Sequence, residues 1–228
     1  MGTEIIDLAE TRKRIVSCKD PFVRATLAAM YICCARVSEI VAYPIGKERA
    51  YGPTVQDIER TTFMHGDREV PIVVFNVKTA KRNGLLRKCA IPIEHEPLLK
   101  YVLFHQKLVQ EKLGGGPMFP VNRRWLWERV KALGVFDGIK YKIFPYINEN
   151  EKVPEHDNDA ALHYLRHARA TELFNYYRFD AEECAAFGGW TFSSARGTPI
   201  SILTPVMTRY VYLDYTRYLP KLMKPPPC

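Results

Sequence analysis

A short stretch of the chain carries basic side chains at helical spacing. His163, Arg166 and His167 occur in the sequence His-Tyr-Leu-Arg-His, and residues three or four positions apart lie on the same face of a helix. The resulting concentration of positive charge could stabilise an anionic group such as a phosphate. A basic helix face is also typical of solvated protein surface, so this stretch alone does not define a site.

Other residues with suitable chemistry lie on both sides of this stretch. Upstream are the sequence Ala-Arg36-Val-Ser-Glu39 and Lys78 in Val-Lys-Thr-Ala-Lys-Arg-Asn-Gly. Downstream is the sequence Gly-Gly-Trp190. A final segment is rich in phenols, and its tyrosines are Tyr210, Tyr212, Tyr215 and Tyr218. The chain therefore carries cations, an indole and several phenols in a defined order.

In this order the motifs resemble the catalytic domain of the tyrosine recombinases, or phage-type integrases of mobile elements. The resemblance covers roughly residues 20–220, and it includes the family's Arg-x-Ser-Glu helix end, hairpin lysine, His-x-Leu-Arg-His sequence and final tyrosine. Trp190 matches the Cre-type subset, in which a tryptophan stands where many members have a histidine. Each motif is weak singly, but five motifs in the family's order make coincidence a poor explanation.

The resemblance implies a role for each basic residue. Arg36 and Arg166 would stabilise the negative charge that develops on the non-bridging oxygens of a phosphodiester. His163 would donate to the same phosphate or exchange a proton with the nucleophile. Lys78 would protonate the departing 5′ oxygen, with Lys81 as the alternative because the sequence does not fix the hairpin register.

Two further residues would support the site. The indole N–H of Trp190 can donate a hydrogen bond to phosphate, and its ring can pack against the nucleophile's helix. Glu39 would orient a neighbouring catalytic group, although an ordinary carboxylate on a helix face is an almost equally good interpretation. The resemblance therefore extends beyond the residues that would touch the reacting atoms.

The nucleophile would be one of the tyrosines near the end of the chain. The sequence Arg-Tyr210-Val-Tyr212 resembles the family's final motif, in which Arg-Tyr is followed by one residue and then often a histidine. This alignment favours Tyr210, with Tyr212 as the alternative. The two lie about 200° apart on a helix, so only one can point into a given cleft. The long segment 191–203 before them favours a last helix that is mobile or is delivered to a neighbouring subunit.

The implied activity is site-specific DNA recombination through a 3′-phosphotyrosine, with no cofactor and no metal. The partner would be double-stranded DNA at an attachment or recombination site, on which the chain would self-associate. Two alternatives share the same residues: a type IB topoisomerase or telomere resolvase that rejoins different ends, and a DNA-binding relative that has lost activity. The N-terminal DNA-clamping domain of typical members is absent from this sequence, so a fragment and a minimal enzyme are both open.

Sequence patterns predict the elements that would position these residues. Helices are expected from Asp20-Pro21 to about Arg36, then through about Tyr43 with Ser38 as its cap, and at about 95–112 and 122–133. A β-hairpin is expected within 70–93, with Asn83-Gly84 between its strands. Further helices are expected from Asp159 to about Tyr177, from Asp180 to Gly188-Gly189 and over 204–218, with loops at 136–158 and 191–203. Together these elements make one mainly helical α+β domain over residues 1–228.

The composition fits a protein that binds an anionic polymer. The 228 residues include 47% hydrophobic ones, enough for a sizeable core, and carry a formal charge of +8 with a pI near 9.2. Nucleic acid is favoured over an anionic membrane, and no apolar run is long enough to span a bilayer. The six cysteines show no Cys-x-x-Cys pair, which predicts reduced thiols in a cytoplasmic, nucleoid-associated protein rather than a zinc site or disulfides.

Overall fold

The computed structural model describes residues 7–47, 49–80, 85–139, 160–190 and 214–227. Within these ranges the chain forms seven α-helices and a three-stranded antiparallel sheet. The predicted combination of helices with a small antiparallel sheet is therefore confirmed.

The elements follow one another as helices, then strands, then helices again. The helices before the sheet are α1 (Leu8–Ser17), α2 (Pro21–Ile32) and α3 (Val37–Ile40). The strands are β1 (Ile58–His65), β2 (Arg68–Lys78) and β3 (Leu86–Pro92). The helices after the sheet are α4 (Leu99–Leu113), α5 (Arg123–Ala132), α6 (Ala160–Thr171) and α7 (Ala181–Gly188). Short 3-10 turns are formed by Val55–Asp57 and Leu219–Leu222, and a π-helical turn, Glu172–Tyr176, continues α6.

Helix α2 lies at the centre of the core. Its start is fixed by Asp20, whose carboxylate accepts hydrogen bonds from N–H groups of the first turn, and by Pro21. Most of its residues are buried, and it packs against α1, α3, α4, α5 and α6. The helix ends at Ile32 rather than near Arg36, because Cys34 adopts a left-handed backbone conformation with a φ of 50°.

Helix α3 is shorter than predicted. It ends at Ile40 instead of about Tyr43, and Ser38 lies inside the helix rather than at its cap. The N-cap is Arg36, whose backbone N–H donates to the carboxylate of Glu39 at 3.1 Å. The Glu39 side chain therefore satisfies the backbone N–H of the N-cap residue. In a capping box this is the hydrogen bond that the glutamate provides.

The predicted hairpin is formed by β2 and β3, which pair from Ile72 with Pro92 to Lys78 with Leu86. The connecting sequence Asn83-Gly84 lies outside the described residues. A third strand, β1, pairs with the other edge of β2 and was not predicted. Its residues are mostly exposed, so its sequence lacks the apolar alternation that indicates a half-buried strand.

Helices α4 and α5 match their predictions within a few residues. Helix α4 begins at Leu99 and ends at Leu113, and its C-cap Gly114 has a φ of 66°. Helix α5 is capped by Asn122, whose side chain accepts the N–H of Trp125 at 2.8 Å. Helix α1, capped by Asp7, was not predicted because its largely polar sequence lacks a clear apolar period.

The two helices that follow carry the His-Tyr-Leu-Arg-His and Gly-Gly sequences, and both were predicted. Helix α6 starts at Ala160 and passes into a π-helical turn, while its predicted cap Asp159 lies outside the described residues. Helix α7 has the predicted capping box, in which Asp180 and Glu183 each accept the other's backbone N–H at 2.8 Å. It ends at Gly188, and its C-cap Gly189 has a φ of 67°.

The end of the described chain is anchored on the sheet. The helix predicted over 204–218 is wrong in its described part, because residues 214–218 form turns, and 204–213 lie outside the described residues. The Tyr218 hydroxyl donates to the carbonyl of Lys88 at 2.8 Å and accepts the N–H of Ala90 at 3.3 Å. Leu219 then packs on the sheet face that looks away from the main core. These contacts hold the segment against β3.

Four buried charges join α1, α6 and the chain before α4. Arg12 donates to both carboxylate oxygens of Glu96, at 2.7 and 2.9 Å, and to Glu172 at 2.9 Å. Arg169 donates to Glu172 and approaches Glu96 at 3.4 Å. Two guanidiniums therefore balance two carboxylates inside the protein.

Replacing Arg12 with methionine is expected to lower the free energy of unfolding by about 3–5 kcal/mol, because it leaves an uncompensated carboxylate in the interior. Urea unfolding followed by circular dichroism measures this loss. Arg124→Met is the control, since the Arg124–Glu128 pair is exposed, and its effect should stay within about 0.5 kcal/mol. A loss below about 1 kcal/mol for Arg12→Met would contradict a stabilising role for this network.

Candidate functional site

The buried carboxylate of Glu39 joins residues from four parts of the chain. Its Oε1 accepts Nη1 of Arg36 at 2.9 Å and the backbone N–H of Ala80 at 3.1 Å. Its Oε2 accepts Nη2 of Arg87 at 3.2 Å and lies 3.6 Å from Nη1 of Arg166. One carboxylate therefore contacts residues at the start of α3, just after β2, at the beginning of β3 and in α6.

The two arginines predicted to contact phosphate thus lie in one cluster but differ in access. The Arg36 side chain is 16% exposed, whereas that of Arg166 is 3% exposed. Arg166 donates to the carbonyls of Cys34 at 2.7 Å and Gly188 at 2.8 Å. Burial lowers the pKa of Arg166 to about 10, so it still carries its charge at neutral pH. In this arrangement Arg36 offers the accessible guanidinium, and Arg166 contributes mainly charge.

Trp190 covers Arg166, with the centre of its ring 4.6 Å from the guanidinium carbon. The two glycines before it make this position possible. A Cβ on Gly188 would collide with the Trp190 ring, and one on Gly189 would lie 2.7 Å from Thr79 Cγ2. The Gly-Gly sequence therefore ends α7 and also lets the indole and the end of β2 approach the arginines.

His163, Arg166 and His167 share helix α6 but experience different surroundings. His163 is exposed, His167 is half-buried, and Arg166 is buried. The two imidazole centres are 4.8 Å apart in an edge-on arrangement. Burial, together with the nearby His163 and Arg166, lowers the pKa of His167 to about 4, so its ring is neutral at pH 7. The exposure of the side chains on the predicted basic face therefore decreases from His163 through His167 to Arg166.

Lys78 is the last residue of β2, and it is exposed. The backbone N–H of Ala80, two residues later, donates to Glu39 at 3.1 Å. The strand end that carries the lysine is therefore tied to the arginine cluster. The alternative residue Lys81 lies outside the described residues.

Of the four candidate tyrosines, two are in the described residues. Tyr218 is buried, bonded to the backbone of β3 as described above, and burial raises its pKa. Tyr215 is half-buried and packs against the core. Both positions fit structural roles, and the preferred nucleophile Tyr210 and its alternative Tyr212 lie outside the described residues.

Arg87 is a member of the cluster that was not predicted. Its Nη1 donates to the carbonyls of Cys33, at 2.9 Å, and Phe187, and lies 2.7 Å from the sulfur of Cys89. A sequence signal for it exists, because Arg87 is in phase with Cys89 and Ile91 and therefore points to the buried face of β3. An arginine in phase with buried residues needs partners, and here Glu39 is one of them.

The cluster carries more positive than negative charge. Three guanidiniums surround the single carboxylate of Glu39, which leaves a surplus of two positive charges. Burial raises the pKa of Glu39, but the guanidiniums of Arg87 and Arg166 and two backbone N–H groups outweigh it and hold the pKa below its ordinary value. Glu39 is therefore ionised at neutral pH, and the remaining charge suits an anionic ligand such as a phosphodiester.

Comparisons of the chain with family models, with curated proteins and with solved structures found no match. Across the ranges described above, no group of three or more His, Cys, Asp and Glu side chains is placed to hold a metal ion. In the same ranges, none of the helices has both the length and the apolar character needed to cross a bilayer.

Proposed function

We propose that this chain is the catalytic domain of a tyrosine-type site-specific recombinase, with the fold of that family, which cleaves and rejoins DNA through a 3′-phosphotyrosine. The observation that carries the proposal is the shared carboxylate of Glu39. It brings Arg36 and Arg166, which are distant in the sequence, into one cationic cluster. Trp190 and the end of the strand that bears Lys78 lie against the same cluster. These are the residues that the family resemblance selected.

In the proposed reaction, the hydroxyl oxygen of Tyr210 attacks a DNA phosphorus and the bond to the 5′ oxygen breaks. Lys78 gives a proton to the departing 5′ oxygen, and His163 binds the phosphate or takes the proton of the tyrosine. Arg36 and Arg166 stabilise the charge on the non-bridging oxygens. A 5′ hydroxyl then attacks the phosphotyrosine, which restores the phosphodiester and frees Tyr210.

This chemistry conserves the energy of the phosphodiester in the phosphotyrosine, so the proposed reaction needs no nucleotide cofactor. The proposed partner is double-stranded DNA, which the formal charge of +8 favours. Strand exchange also requires that copies of the chain associate on the DNA. We place this reaction in the cytoplasm, on the DNA of a cell that carries a mobile element.

The described residues that follow Tyr210 favour a nucleophile that acts within its own chain. Arg217 donates to Asp180 at 2.7 Å and to Glu182 at 3.0 Å, at the start of α7. Tyr218 is bonded to β3 of the same chain. This attachment argues for cleavage in cis, in contrast to the delivery in trans that the long segment 191–203 suggested.

The proposal predicts a covalent protein–DNA adduct whose formation depends on salt. The substrates are nicked suicide duplexes tiled across the DNA that flanks the gene for this chain, and a denaturing gel detects the adduct. If about four phosphates are neutralised, DNA affinity should fall about 100-fold between about 50 and about 200 mM salt.

The products distinguish the related activities. Holliday junctions formed from two duplexes would identify a recombinase, whereas relaxation of supercoils or closure of hairpin ends without junctions would identify a topoisomerase or a telomere resolvase. Salt-dependent binding without an adduct on any duplex would leave only an inactive DNA-binding relative.

A further inference from the structure

We infer that Arg87 is a positioning residue for the proposed strand cleavage, because its guanidinium holds the Glu39 carboxylate in the orientation that presents Arg36 to the DNA phosphate. This inference rests on the proposed function and extends it to a residue that the family resemblance does not include.

Arg87 cannot act by touching DNA. Its side chain is 6% exposed, and its guanidinium lies among the carbonyls of Cys33 and Phe187 and the sulfur of Cys89. Gly189 closes the remaining side, since a Cβ there would lie 2.9 Å from Cδ of Arg87. Any effect of Arg87 on a phosphate must therefore pass through a neighbouring group.

That group is Glu39. Arg87 bonds Oε2 of the carboxylate at 3.2 Å, which leaves Oε1 directed at Nη1 of Arg36 at 2.9 Å and at the N–H of Ala80 at 3.1 Å. Arg87 and the backbone N–H of Arg36, at 3.1 Å, thus hold Oε2, while Oε1 positions the accessible Arg36 side chain and the end of β2. Both of those elements carry residues of the proposed reaction.

Loss of Arg87 would redirect the carboxylate. The nearest remaining buried cation is Arg166, whose Nη1 lies 3.6 Å from Oε2. Without Arg87 the carboxylate would be drawn toward Arg166, because an ion pair in a buried site strengthens steeply at short distance. Oε1 would then turn away from Arg36 and release its side chain, and Arg166 would lose part of the charge that it offers to a phosphate.

Packing alone gives a weak reason for an arginine at this position. Nε of Arg87 has no hydrogen-bond partner among the described residues, and its charge adds to a surplus of positive charge in a buried cluster. An unpaired buried donor and an uncompensated charge both destabilise a fold. A site that receives an anion accounts for the surplus of positive charge, because the ligand supplies the missing negative charge.

The test measures single-turnover cleavage of the suicide duplex, together with DNA affinity, for Arg87→Met and Arg87→Lys. Arg87→Met should cleave roughly 100-fold more slowly, because a small displacement of Arg36 is enough for such a loss. Its DNA affinity should stay within about 3-fold, because phosphate contacts supply the affinity and Arg87 makes none. The cleavage rate of Arg87→Lys should lie between those of the wild type and Arg87→Met, since an ammonium keeps the charge but lacks the planar geometry of a guanidinium.

The pH dependence of the cleavage rate separates positioning from a loss of stability. Arg87 is the strongest of the groups that lower the pKa of Glu39 against the effect of burial. In Arg87→Met that pKa rises, so Glu39 becomes protonated, and releases Arg36, at a higher pH than in the wild type. The acid limb of the rate profile should therefore move to higher pH, and Arg87→Lys should move it less.

Arg12→Met is the matched control, since it also removes a buried guanidinium but lies in the separate network with Glu96 and Glu172. Its rate constant and acid limb should match the wild type at a temperature where both are folded. Wild-type cleavage and an unmoved acid limb in Arg87→Met would overturn the inference and leave the proposed function in place. If Arg87→Met does not fold, wild-type cleavage by Arg87→Lys overturns it and slower cleavage with a moved acid limb supports it. Absence of an adduct with the wild-type protein would instead overturn the proposed function.

Discussion

Tyr210→Phe is expected to abolish the covalent adduct while leaving DNA affinity within about 3-fold of the wild type, because the phosphate contacts that supply affinity are intact. The substitution removes one hydroxyl and keeps the aromatic ring. Loss of a nucleophile typically lowers the rate by about 10⁴-fold or more, so adduct should fall below detection. A tyrosine hydroxyl ordinarily titrates near pH 10, and the cationic cluster would favour its phenolate character during the attack.

Two matched controls accompany this substitution. Tyr212→Phe should retain the adduct, because the family alignment places Tyr212 where members often have a histidine. Tyr218→Phe removes the hydrogen bonds to Lys88 and Ala90, so it should lower stability by about 1–2 kcal/mol and retain the adduct. Loss of adduct in Tyr212→Phe alone would reassign the nucleophile to Tyr212, and retention in both Tyr210→Phe and Tyr212→Phe would mean that a different residue forms the adduct.

The helices and the hairpin could be predicted from the sequence where local chemistry decides them. Asp20 before Pro21, and Asp180 three residues before Glu183, mark helix starts that the structure has at those positions. Two runs rich in β-branched residues, with Asn83-Gly84 between them, identified β2 and β3. Strand β1 and helix α1 escaped prediction because their sequences are largely polar, and their pairing partners, rather than their own residues, determine them.

The residues of the candidate site could be predicted from the sequence, but the burial of one of them could not. Local motifs and their order selected Arg36, Glu39, Arg166 and Trp190, and the structure places these side chains together. The burial of Arg166 could not be predicted, because its partners are carbonyls of Cys34 and Gly188 on other elements. A helical face predicted as uniformly basic therefore contains one residue that lies within the core.

The structure bears on one of the two interpretations of Glu39 that the sequence left open, the exposed carboxylate. A carboxylate on a solvated helix face would be exposed, whereas Glu39 is fully buried and bonded to the guanidiniums of Arg36 and Arg87 and to the backbone N–H of Arg36. The structure thus shows Glu39 beside Arg36, and its role in orienting a catalytic group stays a proposal. The same carboxylate also caps α3, because it accepts the backbone N–H of Arg36, the N-cap residue, at 3.1 Å.

The difference in access between the two arginines leads to the second large effect. Arg36→Ala is expected to slow strand cleavage at least about 100-fold, because removal of a donor to the developing charge typically costs that much. The fold should survive, since the Arg36 side chain is partly exposed and Glu39, its ion-pair partner, still pairs with Arg87 in the variant. DNA affinity should weaken several-fold and lose salt dependence by about one phosphate contact.

Arg36→Ala also tests where the nucleophile acts, when it is mixed with Tyr210→Phe on the same suicide duplex. If residues 214–222 hold the nucleophile's segment to its own chain, every active site in the mixture lacks either Arg36 or Tyr210. No adduct should then form beyond that of the single variants. The control mixes Tyr210→Phe with Arg124→Ala, whose substitution is on the exposed surface. Because the Arg124→Ala chains keep both Arg36 and Tyr210, this mixture should form adduct. Adduct recovered from Arg36→Ala with Tyr210→Phe would mean that one chain lends its tyrosine to a neighbour, because only a site assembled from two chains could then contain both side chains.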